Sequence, residues 1–186
     1  MAYDLLVKNG TVVDGSGSSG YRADVGIIDG KIAAIGRINE GAKQTIEADG
    51  HIVSPGFVDG HTHMDAQIFW DPIGSCSCYH GVTSVVMGNC GFTLAPCKQE
   101  DADMVFRNLV RAEDLSRDAM LEGIDWRWET FPEFLDVIDE LPKGINYAGY
   151  IGHSALRTYV MGERAFSDAA SEDDVRNMQQ LVKQAV

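Results

Sequence analysis

Short apolar runs separated by glycine-containing turns fill the first 53 residues of the chain. The turns carry the dipeptides Asn9-Gly10, Asp29-Gly30 and Asp49-Gly50, which are typical of tight β-hairpins. The pattern therefore predicts a small antiparallel β module. Its hairpins would pair Leu5–Val7 with Thr11–Val13, Ala23–Ile28 with Lys31–Ile35, and Thr45–Ala48 with His51–Val53.

The pattern changes at Ser54-Pro55-Gly56, where strand-like runs begin to alternate with helix-like stretches. Such alternation is typical of an α/β fold with a parallel sheet. The candidate strands are Gly56–Asp59, Val82–Met87 and Ile145–Ile151. The candidate helices are Ala102–Met120, Phe131–Glu140 and a last one that begins at Ser171. We therefore predict two domains, residues 1–53 and 54–186.

The second domain is short for the fold that it resembles in pattern. A barrel of eight parallel strands needs roughly 250 residues, whereas the second domain has about half as many. An open partial sheet would leave a row of unpaired backbone groups at its edge. Two interpretations stay open, an open α/β sheet and a fragment of a longer chain, and we favour the fragment.

Composition narrows the classes of partner. The net charge of −13 disfavours nucleic acid and anionic membrane surfaces. Because no run of about 18 apolar residues occurs, we expect no transmembrane helix. The first residues lack the apolar core of a signal peptide. The four cysteines, at positions 76, 78, 90 and 97, are therefore expected to be reduced thiols in the cytoplasm.

The most informative motif is His61-Thr62-His63, which follows an apolar run and a Pro-Gly break. Residues two apart on a strand point to the same face, so the two imidazoles form a bidentate clamp. Imidazole suits zinc, iron, copper and nickel. We predict a metal site here; the competing interpretation is a pair of surface histidines in a turn.

A cysteine follows the next predicted strand, in Gly88-Asn89-Cys90-Gly91. Sites in parallel α/β sheets gather at the carboxyl ends of the strands, so His61, His63 and Cys90 are expected to converge. A thiolate is a strong ligand for zinc. We favour Cys90 as a metal ligand over a small buried hydrophobe. A third interpretation is a nucleophile with a histidine base.

The remaining polar residues allow more than one role. His153, Ser154 and Arg157 follow the third strand and either contact a substrate or orient loops. Asp65 either orients a metal-bound histidine or caps the next helix. We expect no chemical role for Cys76, Cys78, Cys97, His51 and His80.

Several motifs together resemble one family. Pro55–His63 strongly resembles the amidohydrolase superfamily. Within it, His63–Gln67, His80–Thr83, Gly88–Phe92 and Gly152–Arg157 resemble the N-acyl-D-amino-acid deacylase (D-aminoacylase) branch. The cysteine of Gly-Asn-Cys-Gly is the more discriminating mark, because many relatives use a carboxylated lysine or a glutamate as the bridging ligand. The resemblance covers essentially the whole chain.

The resemblance implies a fold and a ligand set. The fold is a distorted, TIM-like (β/α)8 barrel with a small β-sandwich built from both chain ends. Residues 1–53 would then be the N-terminal part of the sandwich and residues 54–186 the first three β/α units. The metal is one or two zinc ions, with His61 and His63 on one position and Cys90 on the other or bridging both. Further histidines and the acid/base aspartate are expected beyond residue 186.

The implied activity is that of the complete protein. It is a zinc-dependent hydrolase that cleaves the amide bond of N-acyl-D-amino acids to a D-amino acid and a carboxylate, while this chain alone is expected to be inactive. The expected partner is a small-molecule substrate, and a homo-oligomer is compatible with the sequence. The alternatives are another amidohydrolase of the hydantoinase or dihydroorotase kind, and a noncatalytic truncated chain.

Overall fold

The computed structural model describes residues 2–186, which divide into two compact units between Pro55 and Gly56. The strands of the first unit are β1 (Tyr3–Val12), β2 (Tyr21–Ile28), β3 (Lys31–Gly36), β4 (Ala42–Glu47) and β5 (Ile52–Val53). Those of the second are β6 (Phe57–Asp59), β7 (Val82–Met87) and β8 (Asn146–Gly149). Its helices are α1 (Ser75–Cys78), α2 (Ala102–Glu113), α3 (Arg117–Gly123), α4 (Phe131–Glu140), α5 (His153–Met161) and α6 (Glu172–Gln184).

The first unit is one mixed sheet in the order β3-β2-β1-β4, with β5 also paired to β1. The predicted hairpin across Asp29-Gly30 is confirmed, since β2 and β3 pair antiparallel on either side of it. The other two predicted hairpins are wrong. Both errors come from β1, which is a single long strand rather than two short ones.

Asn9-Gly10 forms a bulge within β1 instead of a turn. Asn9 adopts φ 61°, and the register between β1 and β2 shifts between Val7 and Gly10. The backbone N–H of Asn9 donates to Oδ1 of the buried Asp24 at 2.8 Å. This bond and a second one from the Ile38 N–H lower the pKa of Asp24. The buried carboxylate thus takes the bulged N–H, and the strand continues.

The two runs around Asp49-Gly50 do not pair with each other. Both pair parallel with β1, with Thr45 opposite Leu6 and Ile52 opposite Thr11. Because β1 is ten residues long, its edge accommodates β4 and β5 one after the other. The predicted antiparallel module is therefore a mixed sheet.

The second unit contains a parallel sheet in the order β6-β7-β8. The three strands lie within the predicted runs, and the α/β prediction is confirmed. β7 is the central strand, so its backbone is paired on both sides. Because the strands are parallel, their carboxyl ends lie at one edge of the sheet, where the predicted metal-binding residues follow β6 and β7.

The predicted helix Ala102–Met120 is wrong as a single element. Asp114 adopts φ 55°, a left-handed conformation that ends α2 at Glu113. Ser116 then begins α3, because its hydroxyl accepts from the Ala119 N–H at 3.4 Å. A left-handed residue followed by a serine cap ends one helix and begins the next, and the apolar spacing alone does not reveal this.

The other two predicted helices are confirmed. α4 begins with a capping box in which Thr130 and Glu133 exchange hydrogen bonds, and Pro132 lies in its first turn. α6 begins after Ser171, whose hydroxyl accepts from the Asp174 N–H. Within residues 2–186, no helix has the length and apolar character needed to cross a bilayer.

The main core of the second unit contains a cluster of aromatic side chains and is formed mostly by the connection from β7 to β8. Phe69 stacks on Trp128 with ring centroids 5.2 Å apart, and Trp128 also packs on Phe134 at 5.1 Å. The Trp128 indole N–H donates to the carbonyl of Leu94 at 3.0 Å, so its polar atom is paired in the core. Buried side chains of α2, α3 and α4 belong to the same core as Met87, the last residue of β7.

Replacing Phe134 with alanine tests the aromatic core. Phe134 is fully buried, so Phe134→Ala should lower the free energy of unfolding by about 3–5 kcal/mol, measured by urea denaturation. Leu135 is its neighbour on α4 and is 36% exposed, so Leu135→Ala should cost about 1 kcal/mol or less. Equal losses in the two variants would contradict this assignment of the core.

Candidate metal centre

The two histidines project from a segment that is tied to the end of β7. Thr62, between them, donates from both its backbone N–H and its hydroxyl to the carbonyl of Val86, each at 2.9 Å. Thr62 is buried, whereas His61 is exposed and His63 half-buried. The Asp59 carboxylate accepts from the His61 N–H at 3.1 Å. Thr62 thus faces β7, and both imidazoles face the other way.

Cys90 lies in a short turn directly after β7. It adopts φ 55° and ψ 12°, a left-handed conformation that costs a non-glycine residue about 1–2 kcal/mol. The Asn89 amide holds the turn, because it donates to the carbonyls of Val86 at 2.9 Å and Thr62 at 3.3 Å. The strained conformation turns the exposed Cys90 thiol toward the histidines.

The three predicted ligand residues come together. Sγ of Cys90 lies 3.5 Å from Nε2 of His61 and 3.8 Å from Nε2 of His63. A tetrahedral zinc with usual bond lengths separates a nitrogen and a sulfur ligand by about 3.6 Å. The donor set and its spacing therefore fit zinc, with further positions left for other ligands.

A carboxylate approaches the far side of the His63 ring. Oε1 of Glu113 lies 3.2 Å from Nδ1 of His63, while Nε2 faces the thiol. Nδ1 is shielded from solvent and has no aligned hydrogen bond within residues 2–186. The two nitrogens of this imidazole therefore face different partners, the thiol and the carboxylate.

Asp65 fills neither of the two roles considered for it. Its Oδ2 accepts from the Gly88 N–H at 3.0 Å, which connects the histidine segment to the turn that carries Cys90. The residue is 2% exposed, and burial raises the pKa of its carboxyl to about 6 against the lowering effect of the Gly88 hydrogen bond. Asp65 thus joins the two ligand-bearing segments.

The residues after β8 pack beside the turn that carries Cys90. His153 and Ser154 begin α5, and the backbone of His153 lies beside Gly91 in the cysteine turn. Arg157 donates from Nε to the carbonyl of Ala165 at 2.9 Å and from a terminal nitrogen to the carbonyl of Asp168. Its guanidinium therefore holds the loop after α5, which agrees with the loop-orienting alternative for this residue.

The other candidate thiols and imidazoles are not members of the cluster found among the described residues. Cys76 and Cys78 belong to the short helix α1, and the Cys78 thiol approaches the carbonyl of Ser75. Cys97 is buried, and burial raises the pKa of its thiol to about 12. The His51 ring approaches the carbonyl of Asp49 at 3.0 Å. These contacts agree with the expected structural roles.

Sequence reasoning missed Glu113 and the anchoring contacts of Thr62 and Asn89. Glu113 occupies the last position of α2, where a carboxylate is unfavourable next to the negative end of the helix dipole. That unfavourable position is the one local signal that Glu113 has another role. The signal is lost when α2 and α3 are predicted as a single helix, because Glu113 then lies inside the helix. The roles of Thr62 and Asn89 depend on the pairing of β6 with β7.

The site and the parallel sheet agree with the comparisons with known proteins. The family model described as the amidohydrolase family matches residues 44–186. The chain belongs to the amidohydrolase family. The D-aminoacylase of Alcaligenes xylosoxydans xylosoxydans is 35% identical over 99% of this chain and 36% of its own length. The resemblance to the D-aminoacylase branch is thereby confirmed.

Two solved structures extend this result to the fold. A D-aminoacylase with a binuclear metal centre has a TM-score of 0.79 and 34% identity, over 98% of this chain and 36% of that one. The N-acyl-D-glutamate deacylase of Bordetella bronchiseptica, complexed with zinc and a phosphonate inhibitor, has a TM-score of 0.81 and 30% identity, over 100% of this chain. The chain spans 36% of the length of that deacylase.

Gly88 tests how tightly the cysteine turn is held. It adopts φ +81°, and a Cβ there would lie 2.2 Å from the Tyr150 carbonyl oxygen. Gly81 has the same φ of +81°, but a Cβ there would meet side-chain atoms of Phe57 at an ordinary 3.6 Å. Gly88→Ala should therefore lower the free energy of unfolding by about 1–3 kcal/mol more than Gly81→Ala. Urea denaturation measures the difference, and equal losses would show that the close contact has no energetic effect.

Proposed function

We propose that the complete protein is a zinc-dependent hydrolase that cleaves the amide bond of N-acyl-D-amino acids. The observation that carries the proposal is the convergence of His61, His63 and Cys90, whose donor atoms all lie within 4.8 Å of one another. The substrate class is supported by the deacylases that this chain resembles. The chain covers 36% of the D-aminoacylase, so the proposal concerns the whole protein.

We propose His61, His63 and Cys90 as the metal ligands that this chain supplies, with one or two zinc ions as the metal. A mixed imidazole and thiolate set favours zinc over magnesium or calcium, which prefer oxygen ligands. Zinc in such a site polarises a carbonyl and activates a water nucleophile at neutral pH. The proposal of this metal and these ligands is supported by the ligand spacing and by the zinc and binuclear centres of the two solved relatives.

Hydrogen bonds within the chain hold the ligand-bearing segments together. Thr62 and Asn89 hold the two ligand-bearing segments on the Val86 carbonyl, and Asp65 joins them through the Gly88 N–H. Cys90 has its left-handed conformation within the turn that the Asn89 amide holds. Such preorganisation lowers the free-energy cost of gathering the ligands, which favours metal binding.

The reaction proposed for the complete protein is a hydrolysis. Water adds to the acyl carbon, the C–N bond breaks, and the products are a free D-amino acid and a carboxylate. We propose that an aspartate beyond residue 186 takes the proton from water and gives it to the leaving amine. The domain assignment is part of the proposal, with residues 1–53 in a β-sandwich and 54–186 as the first three β/α units of a barrel.

The proposed partner is a small-molecule substrate, and the proposed compartment is the cytoplasm, which the four free cysteines support. The charge of −13 supports the expectation that nucleic acid is not a partner. A homo-oligomer stays a prediction that sedimentation analysis of the complete protein can check.

Removing a ligand tests the metal role. In the complete protein, His61→Ala and Cys90→Ala should lower the bound zinc and reduce kcat/KM for an N-acyl-D-amino acid by about 100-fold or more, since the metal stabilises the transition state by several kcal/mol. Elemental analysis measures zinc, and release of the D-amino acid measures turnover.

The chain offers matched controls for both variants. His80 and Cys76 are exposed and lie outside the ligand cluster, so His80→Ala and Cys76→Ala should leave zinc content and turnover unchanged. Undiminished turnover in both ligand variants would remove the metal role. Hydrolysis of hydantoin or dihydroorotate, but not of N-acyl-D-amino acids, would favour the cyclic-amide alternative. A complete protein that binds zinc and hydrolyses neither class would favour the noncatalytic one.

A further inference from the structure

Within residues 2–186, Glu113 is the one carboxylate that forms an ion pair with a ligand imidazole, on the side away from the proposed metal. Its Oε1 lies 3.2 Å from Nδ1 of His63, within hydrogen-bond reach. Within residues 2–186, His63 is the only basic side chain that forms an ion pair with this carboxylate. The two side chains are 29% and 21% exposed, so the contact is partly shielded from water.

The position of Glu113 is unfavourable for the helix that carries it. It is the last residue of α2, where the free carbonyl groups give the helix end a partial negative charge. A carboxylate there lowers helix stability unless it has a partner. The helix then breaks at Asp114, a second acid, which adds like charge to the same end. A local conflict of this kind is expected where a residue serves a site rather than its own helix.

The contact matters because of the two tautomers of neutral histidine. An imidazole binds a metal through a nitrogen that carries no proton, and the proton then resides on the other nitrogen. In this structure Nε2 of His63 faces the Cys90 thiol, 3.8 Å away, and Nδ1 faces Glu113. A carboxylate beside Nδ1 favours the tautomer with the proton on Nδ1, which leaves the lone pair of Nε2 free.

We propose that Glu113 is a positioning residue that fixes the ring orientation and tautomer of His63 for metal binding. This inference rests on the proposed metal site and adds to it a group from a crossover helix. The Nδ1–H direction does not point at Oε1, since the pair is close but forms no aligned hydrogen bond.

The zinc affinity of the complete protein tests the proposal. Glu113→Ala should raise the zinc dissociation constant by about 10- to 100-fold, measured by competition with a chromophoric chelator. Glu113→Gln keeps a neutral acceptor and should show a smaller increase. Because the substitution removes a carboxylate from a helix C-terminus, the metal-free Glu113→Ala protein should be at least as stable toward urea as the wild type.

Glu122 provides a matched control. It is an exposed glutamate in the last turn of α3, so Glu122→Ala removes the same charge from a comparable position away from the ligands. It should leave the zinc dissociation constant unchanged. If both substitutions weaken zinc binding equally, the effect comes from the loss of a negative charge in general. That result would overturn the positioning role.

Nitrogen-15 NMR of histidine in the metal-free protein gives a second readout that a purely structural role would not change. The wild type should show His63 protonated at Nδ1, and Glu113→Ala should shift it toward the Nε2-protonated form. An unchanged tautomer together with unchanged zinc affinity would overturn the inference. If the wild type itself binds no zinc, the proposed function fails instead, so the two failures are distinguishable.

Discussion

The carbonyl oxygen of Val86, at the end of the central strand, is the acceptor on which the candidate metal centre depends. It receives the backbone N–H and hydroxyl of Thr62 and the amide of Asn89. One atom of β7 therefore anchors both the segment with the histidines and the turn with the cysteine. Because β7 is paired on both sides, this acceptor has little freedom to move. The ligand spacing follows from that rigidity.

Three locally unfavourable features lie close to this anchor. Cys90 has a left-handed backbone, Asp65 is a buried carboxyl, and Glu113 is an acid at a helix C-terminus. Each costs stability by itself. Cys90 belongs to the proposed ligand set, Glu113 contacts His63, and Asp65 accepts from Gly88 in the turn that carries Cys90. The aromatic core around Phe134 and Trp128 offsets such costs, since its large side chains are buried. The second unit thus combines a stabilising core with an edge of the sheet where unfavourable conformations are kept.

The periodic pattern predicted the long regular elements well and the irregular ones badly. β7 and α4 match their predicted ranges, because a buried strand of β-branched residues and a capped amphipathic helix have strong local signals. The Asn9-Gly10 hairpin failed because a buried acceptor, Asp24, takes the Asn9 N–H and turns the dipeptide into a bulge. The prediction of one helix missed the break at Asp114, because the apolar spacing continues across it.

The sequence by itself determined which donor types are available and that two of them, His61 and His63, share a face of one segment, since side-chain direction along an extended chain is a local property. The tertiary structure alone decided that Glu113 meets His63 and that Asp65 holds the cysteine turn. Those contacts join segments that are far apart in the chain. Only the packing of strands and crossover helices, driven by burial of their apolar faces, brings them within hydrogen-bond distance.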